Sequence, residues 1–118
     1  MKLRGTLTEQ SFRKELQASK KHLFNDVSMR RFLNTLKQTC PAMKTAYTLY
    51  WIPEQGEDII TFLVDMDYVV TIELDRYNHT IAPIVSVDPI ESLHTGLSKI
   101  NQIKIVVALD LAKKDLER

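Results

Sequence analysis

The chain predicts an α+β fold: N-terminal helices, a four-stranded antiparallel meander sheet, and a C-terminal helix packed on that sheet. Three observations predict it. Apolar residues recur at helical spacing before Pro41 and again after Ser98. Between those two regions the period drops to strand alternation in β-branched and aromatic residues. The connections between the alternating runs are short, which favours hairpins over crossovers. At 118 residues the chain is read as a single domain, 1–118, with one modest core.

The first helix is expected to start at Thr8, with Glu9 in its first turn, and to place Phe12, Leu16 and Leu23 near one face. "FND" at 24–26 interrupts it, because Asn and Asp compete for backbone hydrogen bonds. A second helix carries Met29, Phe32, Leu33 and Leu36 and must end by Cys40, since Pro41 disfavours helical geometry before it. "AYTLYWI" is the first strand, with Tyr47, Leu49 and Trp51 on one face and Thr48, Tyr50 and Ile52 on the other. "EQGED" turns the chain into "DIITFLV", "DMD" turns it into "YVVTIEL", and "RYNHT" leads to "IAPIVSV". Pro83 has no N–H for a ladder, so the fourth strand is placed at a sheet edge. Asp88 and Pro89 then open a short helix that Gly96 can stop. Ser98 caps a longer helix to about Glu117, whose two apolar stripes, Ile100/Ile103/Val107/Leu111 and Ile105/Leu109/Ala112/Leu116, suit it to lie across the sheet. With the helices on one sheet face, the other face is expected to show Thr48, Tyr50, Ile52, Thr61, Leu63, Val69, Thr71 and Glu73.

The net charge is +1, but it is divided unevenly. Met1 to Lys44 holds ten lysines and arginines against three acids. Thr45 to Asp75 holds Glu54, Glu57, Asp58, Asp65, Asp67, Glu73 and Asp75 and no lysine or arginine. Such asymmetry points to a charged partner rather than to a fold. The apolar and charged fractions, 44% and 26%, are ordinary for a soluble globular protein. No apolar stretch approaches the ~20 residues of a membrane span, and the start "MKLRGTL" has no secretory apolar core behind it. The expectation is a cytoplasmic protein with no membrane partner.

Catalytic signatures are missing from the sequence, and the chain is read as a non-enzyme without a cofactor. His22, His79 and His94 have no second histidine or cysteine at metal-binding spacing. The single Cys40 is read as an inert, half-buried thiol. Gly5, Gly56 and Gly96 are far apart and make no phosphate loop. One enzymatic alternative stays open: Asp65-x-Asp67 with Glu73-x-Asp75 as a divalent-metal site. The basic first third, including "SFRKELQASKKH" and "MRRF", is read as the solvated face of amphipathic helices and not as a nucleic-acid site, since no aromatic-interleaved motif accompanies it.

Two uses for the acidic middle remain. Charge on exposed strands blocks unwanted pairing, and basic helices nearby can offset the field. Alternatively the acids form a docking surface for a basic protein, presented by the "PEQGED" turn and the two hairpins. On this second reading the contact residues are Glu54, Glu57, Asp58, Tyr50, Asp65 and Asp67, with Tyr50 and Trp51 as the aromatic neighbours that anchor interfaces. Nucleases suit such a surface, because a site that binds phosphate is basic.

The stretches "YWIPEQGEDIITFLVD", "VVTIELDRYN" and "GLSKINQIKIVVALDLAKKDLE" give the chain an overall character that resembles the immunity proteins of bacterial toxin systems, notably those of contact-dependent growth inhibition. The resemblance implies a non-enzymatic protein that binds one cognate toxin domain and neutralises it. It assigns no site residue. A small-molecule-binding or self-associating module that uses the open sheet face is the alternative of a different kind.

Overall fold

A computed structural model of the chain describes residues 3–94 and 97–117. The expected α+β architecture is present. Helix α1 (Leu7–Asn25) and a 3-10 turn (Val27–Met29) lead into helix α2 (Arg30–Thr39). Four strands follow, β1 (Ala46–Glu54), β2 (Glu57–Val64), β3 (Tyr68–Asp75) and β4 (Ile84–Pro89), paired antiparallel in the order β1-β2-β3-β4. A second 3-10 turn (Ile90–His94) precedes helix α3 (Lys99–Leu116).

The helix ends follow from local chemistry. The cap of α1 is Thr6 and not Thr8: its hydroxyl accepts from the Glu9 N–H at 3.2 Å. The Glu9 carboxylate answers by accepting from the Arg4 N–H at 2.8 Å and the Gly5 N–H at 3.1 Å. Thr6 and Glu9 thus form a capping-box-like pair, in which the Glu9 carboxylate also takes the backbone donors just ahead of the helix. The interruption at "FND" is real: Asp26 ends α1, and its side chain accepts from the Ser28 N–H to open the 3-10 turn. Ser98 caps α3 as expected, accepting from the Asn101 N–H at 3.2 Å. Asp88 and Pro89 do not open a helix; they belong to β4, and the following turn is 3-10. The stop expected at Gly96 lies outside the described residues.

The helices do not share one sheet face. Leu16 of α1 and Ile105, Val107, Ala108, Leu111 and Ala112 of α3 bury Tyr47, Leu49, Leu63 and Val69 on one side. On the other side Met29, Phe32 and Leu36, with Leu23 from the end of α1, bury Ala46, Ile60, Phe62, Val64, Val70, Ile72 and Leu74. The sheet is therefore the middle layer, and its two central strands are apolar on both faces, as their near-continuous runs "IITFLV" and "YVVTIEL" require.

The register of β1 slips between Thr48 and Tyr50. The extra residue is Leu49, a β-bulge. Beyond it the parity of β1 inverts. Tyr50 and Ile52 join the face of Tyr47, and Trp51 turns to the α2 side, opposite Ile60. The expected alternation of Tyr47, Leu49 and Trp51 on one face holds only as far as the bulge.

Candidate functional site

The α1/α3 layer covers only half of its sheet face. Its buried contacts end at the row Tyr47–Leu63–Val69 and at the Leu49 bulge. Further out, Tyr50, Thr61, Thr71 and Ser86 form the next row, then Ile52, Ile59, Glu73 and Ile84, then Glu54, Glu57 and Asp75. These rows share one face because directly paired residues point the same way. Ile52 is 53% exposed and Ile84 63% exposed. Of the residues expected on an open face, Ile52, Thr61, Thr71 and Glu73 are there. Tyr50 is half-buried at its margin, Leu63 and Val69 lie in the same face but under the helices, and Thr48 points to the opposite side.

The acids of the middle segment separate into groups. Glu54 and Glu57 are exposed and face each other across the tight β1–β2 turn, where Gly56 adopts φ 80. Glu73 lies one row inward on β3. Together they put negative charge around the exposed isoleucines. None of the ion pairs among the described residues involves Glu54, Glu57 or Glu73. Asp75 shares their face, but its carboxylate accepts from the Tyr77 and Asn78 N–H groups at 2.9 and 2.7 Å and closes the β3–β4 turn. Those bonds, Asn78 first, hold its carboxyl below the usual range. Glu57, Glu73 and Asp75 wall a recess of about 100 Å³ with Ile81 and Ile84.

Asp58 does not belong to this surface. One residue from Glu57, it points to the opposite face and takes Arg76 at 2.9 Å and the Trp51 indole N–H at 3.3 Å. The Arg76 hydrogen bond holds its carboxyl below the usual range. Asp65 and Asp67 sit in the β2–β3 turn at the far end of the sheet. The seven residue steps from Asp58 to Asp65 span about 23 Å of strand. Asp65 adopts φ 51, and its carboxylate accepts from the Lys44 and Thr45 N–H groups, each at 3.0 Å. It orders the entry to β1, whereas Asp67 is exposed. The six residues expected to form one contact surface are therefore divided between two faces and two ends. The same separation keeps Asp65 and Asp67 away from Glu73 and Asp75, so these four carboxylates do not converge on one ion. Among the described residues no group of three or more His, Cys, Asp or Glu is placed to hold a metal.

Because Asp65 serves the backbone, Asp65→Ala is expected to destabilise the fold by about 2 kcal/mol, from two unsatisfied N–H groups and an alanine forced to positive φ. Urea denaturation checks this. Asp67→Ala, its exposed neighbour, is expected to change stability by less than about 0.5 kcal/mol.

Tyr50 is the aromatic edge of the open half. Its ring lies under Lys104, with Nζ 5.7 Å from the centroid, and Lys104 also stands 5.9 Å from the centre of Phe12 and 3.6 Å from Glu15. The Tyr50 hydroxyl is buried with no hydrogen-bond partner among the described residues, and burial raises its pKa. Sequence reasoning placed Ile52 and Glu73 on an open face but missed Ile84 and did not join that face to Glu54 and Glu57. The available signal was the row-by-row register of a two-residue hairpin, which Gln55-Gly56 specifies.

Comparison with protein-family models, with curated proteins and with solved structures finds no match for this chain. No helix among the described residues is long and apolar enough to cross a membrane.

Proposed function

We propose that the chain is a non-enzymatic immunity-type inhibitor that binds a basic toxin domain, of which a nuclease is the best-fitting kind. It docks through the open half of the α1/α3 sheet face. The observation that carries this reading is the set of acids Glu54, Glu57 and Glu73, in none of the ion pairs among the described residues, interleaved with and bordering the exposed Ile52 and Ile84. Exposed apolar residues set among like charges suit a protein interface: burial supplies affinity, and the field speeds encounter with a cationic surface. Asp58 and Asp65 are already engaged, by Arg76 and by backbone N–H groups, whereas Glu54, Glu57 and Glu73 enter none of the ion pairs among the described residues and stand beside exposed apolar area.

The test uses the protein encoded by the neighbouring open reading frame, produced as its isolated domain and titrated calorimetrically with the chain. Tight binding that weakens as salt rises is the expected result. Reversing Glu54, Glu57 and Glu73 together to lysine is expected to weaken it about 100-fold or more. Unchanged affinity in the triple variant, with the fold intact by circular dichroism, overturns the assignment of this surface.

A further inference from the structure

The sheet has two edges, β1 and β4, and they are built differently. β1 is guarded. It is bulged at Leu49, its Thr48 N–H donates to the Ser19 hydroxyl at 3.2 Å, and Pro53 has no N–H to offer. β4 has no bulge, and its proline, Pro89, stands only at its last position. All six of its residues are exposed. Its register against β3 is unbroken from Ile84 to Pro89. Ile84, Val85, Ser86 and Val87 carry no charge and are mostly β-branched. An edge of this kind leaves a row of backbone donors and acceptors open to another strand.

Both sides of that edge offer side-chain contacts. On the open face, Ile84 borders the recess walled by Glu57, Glu73 and Asp75. On the α2 face, Val85 and Val87 are 37% and 46% exposed. Val87 and Tyr68 line a wider, mostly apolar recess of about 450 Å³ that reaches Cys40 and Met43.

Charge selects the occupant. A second copy of this chain, paired antiparallel about Ser86, sets its Asp88 opposite Ile84, in one row with Glu73 and about 10 Å from it across Ile84, and the two-fold axis repeats this like-charge approach. A cationic strand meets no such repulsion, and a lysine or arginine tip fits the size and sign of the recess at Glu57 and Glu73. We propose that an extended segment of the basic partner adds to β4 as a fifth strand. Its alternate residues are cationic over the acidic recess and apolar over Tyr68, Val85 and Val87. This rests on the docking reading above and adds how the partner is held: the backbone ladder gives affinity, and the alternating side chains give selectivity.

The probe is a ten-residue synthetic peptide alternating valine with lysine, titrated into the full chain by calorimetry and followed by amide hydrogen exchange. Two controls accompany it: the same peptide N-methylated at alternate amides, and its valine–glutamate counterpart. The expected result is binding by the lysine peptide with slowed exchange on the outer edge of β4, and at least tenfold weaker binding by both controls. Equal binding of the N-methylated peptide overturns strand addition and leaves the acidic surface standing. Equal binding of the glutamate peptide overturns the acidic reading and leaves the open edge standing. Failure of all three peptides, or a dimer of the chain alone with β4 already protected, overturns the proposal itself.

Discussion

Asp115→Ala will destabilise the protein by about 3 kcal/mol, with a fall of about 10 °C in Tm. Asp115 sits near the end of α3, and its side chain is 16% exposed. One carboxylate oxygen accepts from Lys20 of α1 at 2.9 Å, from the Thr45 hydroxyl at 2.8 Å and from the Tyr47 hydroxyl. A single group thus ties the last turn of α3 to α1 and to the start of β1. Removing it takes the acceptor from the buried Thr45 hydroxyl, one bond from Tyr47 and the counter-charge from the partly exposed Lys20. Leaving such groups unmade costs more than each bond gains when formed. Asp115→Asn, which keeps an acceptor but loses the charge, is expected to cost about half as much. Urea melts of the two variants against the parent, read by far-UV circular dichroism, measure the difference. A loss below about 1 kcal/mol for the alanine variant would remove Asp115 from its tying role.

The same site gives a pH signature. Burial, the largest single influence on Asp115, pushes its pKa up, and the bonds from Tyr47, Lys20 and Thr45 together outweigh it, so the folded value lies below the ordinary 3.8. A carboxyl depressed in the folded state binds its proton more readily when unfolded. Its contribution is therefore complete above the ordinary value and disappears as pH falls through the folded one. Acid titration below pH 3.8 is expected to destabilise the parent more steeply than Asp115→Ala, since the variant has already lost that contribution.

The order and type of the elements were legible in the sequence because each is written in local terms: Pro41 and the helical spacing before it, the alternation from Ala46, Ser98 before the last amphipathic run. The site was less legible because its geometry is set by pairing and not by proximity along the chain. Glu57 and Asp58 are adjacent in sequence and point to opposite faces, whereas Glu54 and Glu73 are distant in sequence and lie in neighbouring rows of one face. Clustered acids in a linear segment therefore overstated one surface, since a strand sends alternate residues apart and carries its two ends in opposite directions. The bulge at Leu49 was invisible for a further reason: every residue from Tyr47 to Ile52 suits either face of a strand, and nothing in their chemistry marks the slip. The second covered face had a readable signal in the unbroken apolar runs of β2 and β3, which alternation with a wet face does not produce.

That second face supports the other large effect. Phe62→Ala will cost about 4 kcal/mol. Phe62 is fully buried on the α2 side, and its ring lies 5.9 Å from that of Phe32, tilted at 56°. Around it Leu36, Val70, Ile72 and Val64 complete a cluster that shares no buried residue with the one under α1 and α3. Truncation leaves a cavity between α2 and the sheet that a middle-layer strand, held from both sides, cannot collapse to fill. The loss is expected to fall first on α2, a ten-residue helix too short to persist without its packed face, so its amide protection will drop more than that of α3. Ile59→Ala, three positions earlier on the same strand but in the open face, is the matched control and is expected to lose less than about 1 kcal/mol. The pair of variants separates the covered part of the sheet from its open half. With helices on the α2 face alone, Leu63 and Val69, not Phe62, would lie at the surface. With the sheet as the middle layer, Phe62 is among the most expensive residues in the chain to remove, and Ile59, on the face left for a partner, is among the cheapest of its apolar residues.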